Sequence, residues 1–157
     1  MLGLAFLVRR SRPTAGLAGG VLAMLGIVCF ASIIALDGFT WGVLGELHGR
    51  TGDATVTAAA LHDVQQSGWS LQYYVPALAW TVGMVVLAVS AARAGAVPTA
   101  SGWLLALGAV LAGTEGLIVS NAYYVTGSAT LLAGGAAVAI AVSRMSDEEF
   151  GGGAIRR

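Results

Sequence analysis

The feature that most restricts the fold of this chain is a series of four apolar runs, each close to the length of a bilayer's hydrocarbon layer. A helix rises about 1.5 Å per residue, so about 20 apolar residues cross that layer. The runs cover residues 17–36, 73–92, 103–122 and 123–143. Because lipid offers no partners to backbone polar groups, we predict an all-α fold, a transmembrane helical bundle of four spans.

Composition supports a membrane environment and excludes some partners. The 157 residues are 57% hydrophobic and 10% charged, whereas soluble domains carry about 25% charged residues. The formal charge is zero, so there is no broad basic surface and we expect no nucleic-acid partner. The single cysteine, Cys29, excludes an internal disulfide.

Arginine placement predicts the orientation. Most arginines flank the predicted spans on one side: Arg9, Arg10, Arg12, Arg93, Arg144, Arg156 and Arg157. Basic residues concentrate on the cytoplasmic side of membrane proteins. We therefore predict a multi-pass protein of the cell membrane with both termini in the cytoplasm, built as one transmembrane domain, 1–145, and a disordered tail, 146–157.

The long connection at 37–72 is predicted to lie outside the cytoplasm and to form two short interfacial helices. The first carries Phe39, Val43 and Leu47 at helical spacing, and Gly49 and Gly52 are expected to end it. The second is expected to begin at Asp53 or Thr55 and to end near Gly68.

The N-terminal stretch 2–8 is apolar but too short to span, and it ends directly in Arg9 and Arg10. Two interpretations stay open: an interfacial start, or the end of a further helix lost through a wrongly assigned start codon. A cleaved signal peptide is disfavoured, because the run at 17–36 exceeds the usual hydrophobic core of about 7 to 15 residues.

Glu115 is the one residue inside a predicted span that is charged at neutral pH in water, and such groups are costly in lipid and normally face protein or a wet cavity. It shares a helical stripe with Gly108 and Ala112. Three roles stay open: a structural group hydrogen-bonded to Thr114, Asn121 or another hydroxyl; a proton or cation relay; or a ligand contact.

The outer side also carries residues that suit a metal or haem iron: His48, His62, Asp37 and Asp63. Their spacing matches no established ligand signature. The alternative is that Glu46 pairs with Arg50 one helical turn away and that both histidines are solvated. Under this alternative interpretation the protein binds neither a metal ion nor haem and has no cofactor.

Small residues recur at spacings that let helices approach closely. They include Gly19, Ala23, Gly108, Ala112 and Gly116. Because these seams exceed what one small bundle needs, we predict contacts with another copy of the chain or with other membrane subunits. The alternative is that membrane lipid packs against these glycine-rich helices.

Two short segments carry a family resemblance: 35–38, Ala-Leu-Asp-Gly, closing a predicted span, and 101–104, Ser-Gly-Trp-Leu, following Pro98. Across roughly residues 17–120 the chain resembles small multi-span membrane proteins of actinobacteria that have no established activity. The resemblance implies a helical membrane architecture only. No nucleophile with a base and no phosphate-binding loop is present, so we predict association as the function, with a proton-linked carrier and a haem or metal protein as alternatives.

Overall fold

The computed structural model of this chain describes residues 1–52, 55, 58–59, 62, 69–114 and 121–146; within them it does not describe the side chains of 33, 36–37 and 69–73. Five helices have defined bounds: α1 Leu2–Ser11, α2 Pro13–Thr51, α3 Trp69–Arg93, α4 Thr99–Gly113 and α5 Asn121–Ser143. The described part contains no strand, so the all-α prediction is confirmed. Three helices are long and apolar enough to cross a membrane, within α2, α3 and α5, and α4 is a shorter apolar helix.

Helix α2 is 39 residues long, about 58 Å at 1.5 Å per residue and well beyond the roughly 30 Å hydrocarbon layer. The predicted break after residue 36, with a separate short helix following, was wrong. A glycine ends a helix where its backbone turns left-handed. That happens only at Gly52, with φ of 63°, whose N–H donates to the His48 carbonyl.

Helix α1 folds back against α2. The chain turns at Arg12, and Pro13 begins α2, where its missing N–H costs nothing. A Cβ on Gly16 would lie 2.5 Å from the Arg9 backbone nitrogen, so the two helices touch closely. Leu4, Leu7 and Val8 are buried. One side of the stretch 2–8 is therefore part of the core, while Leu2 and Phe6 on the other side are exposed.

The remaining helices pack in sequence order, each antiparallel to the one before. The pairs meet at glycines, because an absent side chain lets backbones approach. Gly83 lies against the Ala23 backbone, Gly102 against the Ala88 carbonyl, and Gly134 against Leu105. Buried apolar side chains fill the centre: Leu4, Val8, Ala23, Met84, Leu87, Ala88, Ala91, Val97, Leu105, Ala106, Ala109 and Val138.

Antiparallel packing places the chain's turns at two ends. At one end, which we call the basic end, lie the α1–α2 turn at Arg12, the α3–α4 turn at 94–98 and Arg144 after α5. Gly95, with φ of 69°, shapes the α3–α4 turn. The far end holds the end of α2 and the beginnings of α3 and α5. The arginine-bearing turns therefore share one end.

The third and fourth predicted spans also differ from the structure. Helix α4 ends at Gly113 and α5 begins at Asn121, so the connection expected at 121–126 lies inside α5. The predicted span 103–122 is longer than α4, which ends at Gly113. Residues 115–120, most of the second outer helix and the tail from 147 lie outside the described residues.

Candidate functional site

The far end carries a pair of hydroxyls that joins α4 to α5. The Thr114 Oγ1 lies 2.6 Å from the Tyr123 hydroxyl oxygen and also donates to the Val110 carbonyl at 2.7 Å. A threonine hydroxyl has one hydrogen. Because that hydrogen points to the carbonyl, the Tyr123 hydroxyl donates to Thr114. The bond ties the last turn of α4 to the first turn of α5.

A third hydroxyl approaches the same turn of α4 from α3. Thr81 is 8% exposed, and its Oγ1 donates to the Ala77 carbonyl at 2.7 Å. A Cβ on Gly113 would collide with that hydroxyl group. Glu115 directly follows this turn but lies outside the described residues, while Asn121 is exposed at the beginning of α5. The Thr81 and Thr114 hydroxyls at this turn are thus already hydrogen-bonded.

Replacing Tyr123 with phenylalanine is expected to destabilise the bundle by about 1 kcal/mol, because the change removes one partly buried hydrogen bond. The measurement is the melting temperature of the purified protein in detergent. Tyr124→Phe is the matched control, because Tyr124 is the adjacent residue and is 39% exposed. Equal melting temperatures for the two variants would show that the Thr114–Tyr123 bond contributes nothing.

The histidines predicted as metal or haem ligands lie on exposed surface. His48 is exposed near the end of α2, and His62 is exposed. The side chains of Asp37 and Asp63 lie outside the described residues. Within the part of the chain that the structure describes, no three His, Cys, Asp or Glu side chains are grouped to hold a metal ion.

The Glu46–Arg50 pair predicted as the alternative is present. The Arg50 guanidinium lies 2.5 Å from the Glu46 carboxylate, with the side chains 76% and 64% exposed, respectively. Exposed pairs of this kind contribute about 0.3–0.5 kcal/mol. The pair therefore satisfies two charges on a solvated helix end and adds little to stability.

Several predicted packing residues lie at helix contacts. A Cβ on Gly19 would lie 3.0 Å from the Leu87 side chain, Ala23 is fully buried, and a Cβ on Gly108 would lie 2.5 Å from the Leu131 Cα. Ala112 is half-buried, and Gly116 lies outside the described residues.

Sequence reasoning missed two of the closest approaches. A Cβ on Gly26 would lie 2.5 Å from the Trp80 backbone nitrogen, and Gly134 is equally close to the Leu105 nitrogen. Both glycines lie inside apolar runs, and this sequence feature could have marked them as packing positions. Their partners belong to helices distant in sequence, so the contacts were not readable locally.

One glycine series on α2 differs from all of these. Gly38, Gly42, Gly45 and Gly49 follow the spacing of a single helical face, and none has an atom of the described residues within 4 Å of a Cβ position. We call this the open glycine face. Phe39 and Trp41, which are 73% and 57% exposed, flank it.

Comparison with known proteins identifies no relative of this chain. No family model, no curated protein and no solved structure matches the chain.

Proposed function

We propose that this protein is a four-span protein of the cell membrane, with cytoplasmic termini, that acts by association as an accessory or scaffold subunit of a larger membrane assembly. The single observation that carries the proposal is the open glycine face on α2. Its proposed occupant is a helix of another membrane protein. A second copy of this chain is the competing occupant.

The proposal is supported by how this protein uses glycine elsewhere. Where two of its helices cross closely, a glycine lies against the backbone of the neighbouring helix, as at Gly26, Gly83 and Gly134. Such positions let helices pack in lipid, where no hydrophobic force drives them together. Glycines also weaken a helix by up to about 1 kcal/mol each relative to alanine. Four on one face, with no neighbour among the residues that the structure describes, are a cost that a docked helix would offset.

The position of the face on α2 is also favourable. Gly26 lies against Pro76 and Trp80, and α3 begins at Trp69, so with antiparallel packing α2 residues beyond about 37 lie past the end of α3. On this extension Leu44 is buried and Leu47 half-buried. At about 100° per residue, both lie on the side of α2 opposite the glycines. The buried side of this extension is therefore not the glycine side.

The test is cross-linking from the open glycine face in native membranes. A cysteine at Gly42, in a Cys29→Ser background, carries a short photo-activated cross-linker. The expected result is one discrete adduct with a different membrane protein. The matched control is a cysteine at Val43, which is 48% exposed on another side of the same helix turn and is expected to give no discrete protein adduct.

A second arm shows whether the glycines themselves matter. With the cross-linker at Gly49, the changes Gly42→Leu and Gly45→Leu are expected to reduce the adduct at least tenfold without lowering the melting temperature of the isolated chain. An adduct of exactly two copies would assign the face to a homo-oligomer and contradict the subunit role. The same adducts from Gly42 and Val43, or none from either, would also contradict it.

A further inference from the structure

The basic end contains a cavity in which two arginines from opposite ends of the chain meet. Its volume is about 330 Å³, and Arg10 and Ser11 of α1, the α3–α4 turn at 94–96, and Arg144 and Met145 after α5 line it. Three separate segments of the fold converge to build it. The juxtaposition of Arg10 with Arg144 is therefore a product of the tertiary structure.

These two guanidinium groups have no carboxylate partner among the described residues, where the one ion pair is Arg50 with Glu46 at the far end. Arg10 stacks on Phe6, with its guanidinium carbon 4.8 Å from the ring centroid. Stacking on a ring face leaves the N–H groups of the guanidinium available. The cavity is thus lined by two positive charges, and the Arg10 donors are available.

An apolar groove continues from this cavity on the other side of Arg144. It has a volume of about 690 Å³ and is lined by the turn at 95–98, by Ala137, Ile140 and Ala141 of α5, and by two hydroxyl residues at the beginning of α4, Thr99 and Ser101. Ala137, Ile140 and Arg144 follow helical spacing on one side of α5. The groove therefore runs about 10 Å from the arginine towards the middle of the helix.

We propose that this paired site binds an anionic phospholipid, with its phosphate between Arg10 and Arg144 and one acyl chain along the groove. Guanidinium groups bind phosphate oxygens through two parallel hydrogen bonds. Basic pockets between helices at the cytoplasmic face suit anionic headgroups. A zwitterionic choline lipid fits poorly, because its trimethylammonium would lie beside two arginines. The continuous apolar groove distinguishes a lipid from a free phosphate ion.

The test uses the full chain in detergent and native mass spectrometry with added phosphatidylglycerol or phosphatidylcholine. Wild type is expected to retain phosphatidylglycerol at least tenfold more tightly than phosphatidylcholine. Arg10→Gln with Arg144→Gln is expected to weaken phosphatidylglycerol retention roughly tenfold to thirtyfold, since each basic residue contributes a several-fold effect. Arg93→Gln is the matched control, because Arg93 is an arginine of the same end that does not line the cavity, and it is expected to change retention less than twofold.

Two results would overturn the proposal. The first is equal retention of phosphatidylglycerol by wild type and the double variant. The second is complete displacement of the lipid by millimolar inorganic phosphate, which would assign the arginines to free phosphate. The first result has one explanation in the sequence, the carboxylates of Asp147, Glu148 and Glu149, which closely follow Arg144. If the double variant lowers the lipid-free melting temperature but leaves lipid retention unchanged, the arginines serve those carboxylates.

Discussion

Replacing Gly134 with alanine is expected to lower the melting temperature of the protein in detergent by roughly 2–12 °C. A Cβ at this position would lie 2.5 Å from the Leu105 nitrogen and 2.6 Å from its Cα. Backbone atoms cannot rotate away as a side chain does, so α4 and α5 must separate. Overpacking of this kind costs about 1–3 kcal/mol, and 1 kcal/mol shifts the melting temperature by about 2–4 °C in a chain of this size.

Gly135→Ala is the matched control for this prediction. Gly135 is the next residue of α5, and a Cβ there meets nothing within 4 Å among the described residues. Alanine favours the helix over glycine by up to about 1 kcal/mol, so an unchanged or higher melting temperature is expected. If the two variants melt alike, the close contact between α4 and α5 does not exist as described.

The sequence was sufficient to predict the class of the fold and much of its helical content. Long uncharged runs with few polar side chains can satisfy their backbone groups only as helices in lipid. Gly19 and Gly108 were recognised as packing residues because each stands in a stripe of small residues. Their partner helices were not identifiable, since a close approach depends on which distant segment lies opposite.

Helix bounds were predicted less well, for two local reasons. Asp37-Gly38 after an apolar run is typical of a helix end, but the backbone stays helical there and becomes left-handed only at Gly52. The stretch 2–8 is too short to span alone. Its role depends on the turn at Arg12, which brings α1 onto α2 and α3, and no local pattern shows that contact.

Among the candidate sites, too, contacts set by local helical spacing were predictable and contacts between distant helices were not. The Glu46–Arg50 pair was predictable because it depends on helical spacing alone. The Thr114–Tyr123 bond joins α4 to α5, and the connection between these helices was predicted at 121–126, inside α5. The cavity lined by Arg10 and Arg144 brings together two ends of the chain. Such contacts arise only after the helices pack, so they could not be read from spacing.

In intact cells, cysteine labelling is expected to modify one end of the bundle fully and the other end not at all, which reports the orientation of the protein in the membrane. The background is Cys29→Ser, because Cys29 is the only cysteine in the chain. Thr99→Cys at the basic end and Gly49→Cys near the far end are both exposed positions. In intact cells, a membrane-impermeant maleimide is expected to label Gly49→Cys fully and Thr99→Cys only after permeabilisation.

The physical reason is the distribution of arginines between the two ends. Arg9, Arg10, Arg12, Arg93 and Arg144 belong to the basic end. At the centre of a membrane helix each arginine costs about 2.5–3.5 kcal/mol, and basic loops remain in the cytoplasm. The far end carries the neutral Glu46–Arg50 pair and has no such barrier.

Ser11→Cys, on the α1–α2 turn, is the control and should behave like Thr99→Cys. Labelling of Ser11→Cys and Thr99→Cys from opposite sides would contradict the shared basic end, and labelling of both in intact cells would reverse the orientation.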